Sequence, residues 1–414
     1  MIALGCVLRA CFAAACLCEF GAAQTISPAA TPTTTCGIEM AEATLHHLED
    51  CARVIFTNET VHAALAQLAP GSGVGIGLGS QLNFNKHDGT QQWFSSQALV
   101  ATSGAWKLDA AAIFGQKLAA DGSEIQRERF GVSAHAYTNL GFFGLGPTAA
   151  LPQASFGEHD ITGFFTWDRP LTPWLTVGAG FESQRIGAAN TTPSALGTLP
   201  AASVSNAQVY LVPEVHLRFV EPNPHRRVNH QYRWDDEVSL SDHRDTGGGA
   251  FSFWRLDAVG EHIPWRGGVD DRYLLIRGRL VESFTGAGSS VPFLLQPTLG
   301  GTDAMGFDTV RGLADYRYRG PDMFVLQPEL RYRFVPSLPV VGAVFYDCGK
   351  VALRPGDLNF SQLQQSAGVG IGIATPIGAI RAYVALAGAG KSHVFIGFGD
   401  GVYNPSETDA FDFR

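Results

Sequence analysis

Residues 300–349 decide the fold, and they read GGTDAMGFDTVRGLADYRYRGPDMFVLQPELRYRFVPSLPVVGAVFYDCG. The stretch opens with a glycine-rich segment that contains the tetrad Val310-Arg311-Gly312-Leu313. Apolar and polar side chains then alternate from Met323 to Phe334, a proline-containing turn follows, and a second run ends at Phe345-Tyr346-Asp347-Cys348-Gly349. Alternation with a period of two is typical of β-strands. The stretch therefore predicts a long loop followed by two antiparallel strands, with an arginine before them and an aspartate in the second.

The same alternation recurs along most of the chain. Apolar residues alternate with small or polar ones over 74–79, 175–182 and 254–258, as they do over 324–334. An even number of antiparallel strands with one apolar face favours a barrel in lipid with a polar lumen, although a soluble β-sandwich would also alternate. We predict 16 strands, at residues 72–83, 91–103, 105–117, 125–139, 157–168, 173–186, 206–219, 229–242, 249–261, 270–284, 291–299, 322–334, 340–351, 363–375, 378–388 and 392–400.

The composition favours the membrane barrel over the sandwich. Only 16% of the residues are charged, and 48 of the 414 are glycine, which is unusual for a soluble enzyme. Beyond the N-terminal segment, no run approaches the ~20 apolar residues of a membrane-spanning helix. A membrane protein without such helices has to satisfy its backbone hydrogen bonds as a closed barrel. The formal net charge of -9 argues against nucleic acid as a partner.

The N-terminus predicts a signal peptide over residues 1–23. The basic residue Arg9 precedes an apolar core over 10–18, and small residues lead to a cleavage site before Gln24. Export together with the barrel pattern predicts a location in the bacterial outer membrane. We divide the remaining chain into a periplasmic leader with short helices (24–70), the outer-membrane β-barrel (71–400) and a C-terminal tail (401–414).

Two helices are predicted in the leader, over 37–54 and 58–68. The cysteines that flank most of the first helix, Cys36 and Cys51, are compatible with a disulfide in an oxidising compartment. A straight helix, however, would hold them ~22 Å apart, too far to be bridged. A metal site formed by these cysteines with His46 and His47 is the other interpretation. Their spacing matches no standard zinc-binding pattern.

The motifs of the opening stretch resemble the BamA/TamA family of outer-membrane proteins, also called the bacterial surface antigen family. In chain order they are Val310-Arg311-Gly312-Leu313, then Glu329-Leu330-Arg331, then Phe345, Asp347 and Gly349. Residues 139–146 (NLGFFGLG) also resemble a family stretch. The resemblance covers roughly residues 71–400 and implies a barrel whose long loop folds back into the lumen. Leu313 stands where the family usually has an aromatic residue.

The resemblance implies a loop lock in the lumen, made by Arg311, Gly312, Phe345, Asp347 and Gly349, with Glu329 and Arg331 on the strand after the loop. The pairing is physically reasonable, because a guanidinium buried without a carboxylate is costly and a bidentate pair satisfies both groups. Phe345 lies two residues from Asp347, hence on the same strand face, where its ring can stack on the arginine. The alternative is a solvated loop residue at Arg311 and an unrelated lumen charge at Asp347.

Enzymatic interpretations have little support. Acidic residues and histidine gather at 157–160 (GEHD) and at 241–245 (SDHRD), without a nucleophile motif nearby. No phosphate-binding or dinucleotide-binding fingerprint is present in the sequence. We therefore expect no enzyme, no catalytic residue, no cofactor and no metal. The alternative is an outer-membrane hydrolase that uses a Ser/His pair in the barrel.

By resemblance, we expect insertion or translocation of protein or lipid through a lateral seam between the first and last strands. The first predicted strand is rich in glycine and the last is short, which suits weak pairing. Expected partners are outer-membrane lipids and client proteins or lipids. Two features depart from the family: the leader is too short and helical for its repeated periplasmic POTRA modules, and a polar tail follows the last strand. The alternative function is a structural barrel, or a pore-like barrel plugged by its own loop, without insertase activity.

Overall fold

The structure is a computed structural model, and it describes residues 61–85, 90–118, 124–148, 154–189, 207–222, 232–248, 250–266, 272–304, 306–333, 340–375, 378–388 and 391–398. All of them lie in one compact unit, residues 48–414. These residues form strands, turns and two short 3-10 segments, Phe293–Leu295 and Pro355–Asp357. Within the described ranges no helix is long and apolar enough to span a membrane.

Eighteen strands make up the described part of the fold. Their bounds are β1 His62–Gln67, β2 Val74–Asn85, β3 Thr90–Ala101, β4 Trp106–Leu118, β5 Glu124–Phe142, β6 Ala154–Thr172, β7 Leu175–Ala189, β8 Gln208–Pro222, β9 Tyr232–Asp245, β10 Phe253–Arg266, β11 Arg272–Thr285, β12 Thr298–Leu299, β13 Tyr318–Arg319, β14 Asp322–Arg333, β15 Val340–Ala352, β16 Gln364–Thr375, β17 Gly378–Ala387 and β18 Lys391–Phe398.

Sixteen of these strands form one antiparallel sheet. Each strand pairs with the next in chain order from β1 to β11, β11 pairs with β14, and the order continues to β18. The edge strands β1 and β18 come within 8 Å of each other, measured between Cα atoms, so the sheet curls round into a barrel. The predicted fold class, an all-β barrel of 16 antiparallel strands, is confirmed. We call the barrel end that carries the long β11–β14 connection the loop end.

The two faces of the sheet differ in polarity. Side chains on the outside are apolar and exposed; Ile76 in β2 is 66% exposed and Val369 in β16 is 58% exposed. On the inside, charged side chains such as Asp109 and Asp347 are fully buried. A continuous exposed apolar surface is costly in water and is the surface that a barrel turns to lipid.

The predicted helix over 58–68 is wrong where the structure describes it. His62–Gln67 is the first barrel strand, and it pairs with β2 so that Leu65 opposes Ile76. Its sequence, HAALAQ, has good helix formers, but the free edge of β2 offers hydrogen-bond partners, and such tertiary pairing overrides local propensity. The first strand therefore contains no glycine, and the glycine-rich segment is the second strand. The signal peptide, the 37–54 helix, both leader cysteines and the tail lie outside the described residues.

The predicted barrel strand over 291–299 is also wrong. This segment forms a 3-10 turn and the two-residue strand β12, which pairs with β13 rather than with the barrel sheet. Pro292 and Pro297 lack a backbone N–H, which disfavours a continuous ladder here. The predicted number of barrel strands still agrees with the structure, because the prediction omits β1 and counts this segment in its place.

Two apolar clusters pack the long connection against the barrel. The larger, at the loop end, joins the β1–β2 turn to the connection and includes Leu68, Tyr137, Phe156, Phe293 and Tyr316. The second holds two residues of the connection against β11, β14 and β15; its members are Leu299, Val310, Val281, Met323, Val325 and Val351. The connection is therefore part of the barrel's core.

Candidate functional site

Residues 300–321, here called the inner loop, fold back on themselves within the β11–β14 connection. The backbone N–H of Gly301 donates to the carbonyl of Val310 at 3.1 Å, and that of Thr309 donates to Gly301 at 2.8 Å. Gly301 has a φ of +54°, and a Cβ there would lie 1.9 Å from an Asp315 carboxylate oxygen. Only glycine fits a position that combines left-handed backbone with so close a contact. This turn presents Arg311 to the inside of the barrel wall.

Arg311 is held by two carboxylates. Its Nε and Nη2 donate to the two oxygens of Asp347 at 2.9 and 2.7 Å, and its backbone N–H donates to Oδ2 of Asp347 at 3.0 Å. The remaining nitrogen, Nη1, donates to Glu329 at 2.6 Å. Arg311 is 6% exposed and Asp347 is fully buried. A bidentate pair in so dry a setting is among the stronger polar contacts a protein makes.

An aromatic ring lies under the guanidinium. The Arg311 Cζ is 3.5 Å from the centroid of the Phe345 ring, and 5.7 Å from that of Tyr383. Phe345 and Asp347 share the inner face of β15, since strand side chains alternate. The same strand therefore supplies both the carboxylate and the ring that hold the arginine in one plane.

Glu329 and Arg331 extend the cluster along β14. Arg331 Nε donates to Glu329 at 2.5 Å, and its Nη1 donates to the Tyr273 hydroxyl at 3.3 Å. Strand pairing places Glu329 opposite Phe345 on β15. Glu329 thus lies between two guanidinium groups and links the arginine of the inner loop to the wall.

The two glycines of the predicted set lie at close approaches. A Cβ on Gly312 would stand 2.6 Å from the Cβ of Ser366 and 3.0 Å from the backbone nitrogen of Ala387. On Gly349 a Cβ would stand 2.8 Å from the side chain of Leu299. Leu313, in the position usually aromatic in the resembled family, packs on the second apolar cluster. The structure thus brings all seven predicted residues to the inner loop or the wall beneath it.

The electrostatics of the inner loop follow from this packing. Burial on its own lowers the pKa of Arg311, but the hydrogen bonds and charge of Asp347, with the charge of Glu329, outweigh it and raise the pKa above its usual range. Burial raises the pKa of Asp315, against the lowering effects of the Thr302 N–H and of the charge on His393. Arg311 therefore stays protonated, and its charge is always present for the two carboxylates.

Sequence reasoning missed further contacts of the inner loop, among them three hydrogen bonds to distant parts of the chain. Asp308 accepts a hydrogen bond from Arg381 of β17 at 2.8 Å, and Tyr318 donates to Gln364 of β16 at 3.4 Å. The Tyr316 hydroxyl donates to the carbonyl of Pro70 in the β1–β2 turn at 3.2 Å. Alternation along β17 could have placed Arg381 on the inner face. No local signal could have paired residues so far apart in the chain as Tyr316 and Pro70.

The segments considered for catalysis do not assemble a triad among the described residues. Ser241 Oγ lies 3.2 Å from Nε2 of His243, on the same strand. The other ring nitrogen of His243, Nδ1, has no hydrogen-bond partner, whereas a catalytic histidine needs an orienting group there. In the other segment, His135 Nε2 lies 3.4 Å from Glu158. The described residues contain no group of three or more His, Cys, Asp or Glu arranged to hold a metal ion.

An apolar outside, a charged inside and a loop folded into the lumen define a membrane β-barrel of the outer-membrane class. Residues 238–399 match the model of the Omp85 superfamily domain. This span runs from β9 to the end of β18 and includes the inner loop and every residue of the predicted lock. The resemblance to the BamA/TamA family is thus confirmed at the level of the Omp85 superfamily domain.

Solved structures share the fold. BamA from Haemophilus ducreyi lacking POTRA domains 1-3 aligns with a TM-score of 0.58 and 12% identity, over 82% of this chain and 70% of that one. CdiB from Escherichia coli aligns with a TM-score of 0.51 and 12% identity, over 81% of this chain and 61% of that one. The chain therefore spans less than two thirds of that CdiB. No curated protein sequence matches the chain significantly.

Proposed function

We propose that this protein resides in the bacterial outer membrane and inserts or translocates protein or lipid through a lateral seam between β1 and β18. The Omp85 superfamily domain and the barrel fold support a role of this general kind. The proposal adds the route, which runs sideways into the bilayer, and the partners, which are outer-membrane lipids and client proteins or lipids.

The observation that carries this proposal is the occupied lumen. The inner loop rests on β14 to β17 through Arg311, Asp308 and Gly312. At the loop end, the apolar cluster around Phe293 and Tyr316 packs the same connection against the N-terminal strands. A client that passed straight through would have to displace a buried ion pair and an apolar cluster together. A route between the two edge strands avoids both costs.

The two strands that form the seam are short and can make few backbone hydrogen bonds across it. Among the barrel strands described, β1 with 6 residues and β18 with 8 are the shortest. Short strands offer few ladder hydrogen bonds. Within the described residues, backbone pairing joins all the remaining neighbouring strands of the sheet, from β1–β2 to β17–β18. The join between β1 and β18 is therefore where the barrel opens at the smallest cost.

A reversible cross-link tests the route. Cysteines would be placed on the outward faces of the edge strands, at Ala63 or Leu65 in β1 and at Val394 or Ile396 in β18, with the native cysteines replaced by serine. A matched control pair joins Ala179 and Val215, which oppose each other on β7 and β8. In cells that depend on this protein, oxidation of the seam pair should stop outer-membrane protein or lipid delivery, and reductant should restore it. Full delivery with the seam cross-linked would show the route to be wrong.

The second candidate is a barrel plugged by its own loop and without insertase activity. The same closed lumen favours it, because a permanently buried ion pair also suits a static plug. The control pair decides between the two: a static barrel tolerates both cross-links equally, whereas an insertase loses activity only with the seam pair.

A further inference from the structure

The inner loop contacts both sides of the seam. On the C-terminal side an aromatic series runs inward from β18: Phe395 stacks on Tyr383 at 4.8 Å, and Tyr383 meets Phe345 edge-on at 5.7 Å, both measured between ring centroids. Arg311 lies over Phe345 at 3.5 Å and so closes the series. The edge strand β18 is thereby connected to the inner loop through buried side chains only.

The N-terminal side is reached by Tyr316, five residues along the loop. Its hydroxyl donates to the Pro70 carbonyl, three residues after the end of β1, at 3.2 Å. The β1–β2 turn is itself fixed to β5, because Ser72 Oγ donates to the Thr138 carbonyl at 2.7 Å. Tyr316 therefore joins the loop to the N-terminal wall of the barrel and not to a free turn.

The backbone of Tyr316 is strained in the position that makes this contact. Its φ is +58°, in the left-handed region that residues with a Cβ rarely adopt. The ring is 2% exposed, within the cluster at the loop end. Strain of this kind persists only where the surroundings hold it, and it clusters at functional elements. The Tyr316 backbone N–H donates to the Gly300 carbonyl at 3.2 Å, so the loop's own backbone and the buried ring hold the hydroxyl towards Pro70.

We propose that the inner loop is a brace across the seam, with Arg311 fixed to the C-terminal strands and Tyr316 to the β1–β2 turn, so that the seam opens only when the loop releases one side. The proposal rests on the proposed function for its biological meaning, since it describes how the lateral route is regulated. The two anchors act in series, because the same loop carries both. Loss of either anchor should therefore free both edge strands.

Hydrogen–deuterium exchange on the full chain in lipid nanodiscs tests the brace. Tyr316→Phe removes only the hydroxyl. Exchange at β1 should rise about two- to tenfold, which is the factor that corresponds to the loss of one neutral hydrogen bond. The diagnostic readout is β18, which should exchange faster by a similar factor although the Tyr316 hydroxyl bonds to the opposite side of the seam. Tyr318→Phe is the matched control, because it removes a hydroxyl of the same loop, bonded to Gln364 of β16 at 3.4 Å, while both the Arg311 and the Tyr316 anchors stay in place, and it should leave β1 and β18 unchanged.

Arg311→Lys keeps the charge but not the paired hydrogen bonds, and it should likewise raise exchange at both edges. The double variant should exceed the stronger single variant by less than twofold, as anchors in series require. Two results would overturn the brace: faster exchange in Tyr316→Phe that is confined to the β1–β2 turn, or fully multiplicative effects in the double variant. The exchange experiment does not depend on transport. If exchange at β1 and β18 rises together in the variants while the protein with a cross-linked seam stays active, the proposed function is refuted and the brace is not.

Discussion

The carboxylate of Asp347 accepts three hydrogen bonds from Arg311, one from the backbone and two from the guanidinium. One buried side chain of the barrel wall therefore fixes both the main chain and the side chain of the inner loop. Because Arg311 Nη1 also donates to Glu329, the guanidinium is held by two strands of the wall, β14 and β15.

Replacing Arg311 by alanine should release the inner loop. Removal of one partner leaves buried carboxylates uncompensated, which costs about 3–5 kcal/mol. We expect new protease cleavage sites within 300–321 and a loss of heat-modifiable migration on gels at a lower temperature than in the wild type. Unchanged protease sensitivity and migration would mean that Arg311 does not hold the loop.

The two carboxylates that bind Arg311 should contribute unequally to holding the inner loop. Asp347→Asn disturbs three hydrogen bonds from Arg311, whereas Glu329→Gln disturbs one. We therefore expect Asp347→Asn to expose the loop to protease much as Arg311→Ala does, and Glu329→Gln to leave it protected. Limited proteolysis of the two variants side by side is the measurement, and the reverse order would contradict the geometry.

A methyl group at Gly312 should push the loop off the wall. The added Cβ would lie 2.6 Å from Ser366 and 3.0 Å from the Ala387 backbone, and overpacking of this kind costs about 1–3 kcal/mol. Gly356→Ala is the matched control, because its Cβ would meet nothing within 4 Å. Urea unfolding from lipid vesicles should show a lower midpoint for Gly312→Ala only; equal midpoints would mean that the contact is not tight.

The outward face can be tested on a single strand. Val369 lies in the middle of β16, points outward and is 58% exposed, so Val369→Arg should cost about 2–4 kcal/mol in a bilayer. Gln365→Arg lies on the same face near the strand's end and should cost about 0–1 kcal/mol. Refolding yield in vesicles compares the two variants. A tolerated arginine at Val369 would place that face in water and not in lipid.

The sequence was most informative where a periodic pattern and a charge coincided. Alternation marked most barrel strands, and the resemblance of the Arg311 and Asp347 motifs to the BamA/TamA family implied that the loop lies against the strand of Asp347. It failed at His62–Gln67, where helix-forming residues are recruited by the free edge of β2, and at 291–299, where prolines interrupt an apolar run. The Tyr316–Pro70 contact is carried by a buried hydroxyl and a carbonyl, and neither leaves a pattern in the local sequence.

Conductance across a planar bilayer tests the closed lumen most directly. With the inner loop held by Arg311 and Asp347, the wild-type protein should show no steady open channel, and Arg311→Ala should show frequent openings as the loop leaves its site. A large and steady conductance in the wild type, unchanged by Arg311→Ala, would contradict the account, because the lumen would then be open with the loop in place.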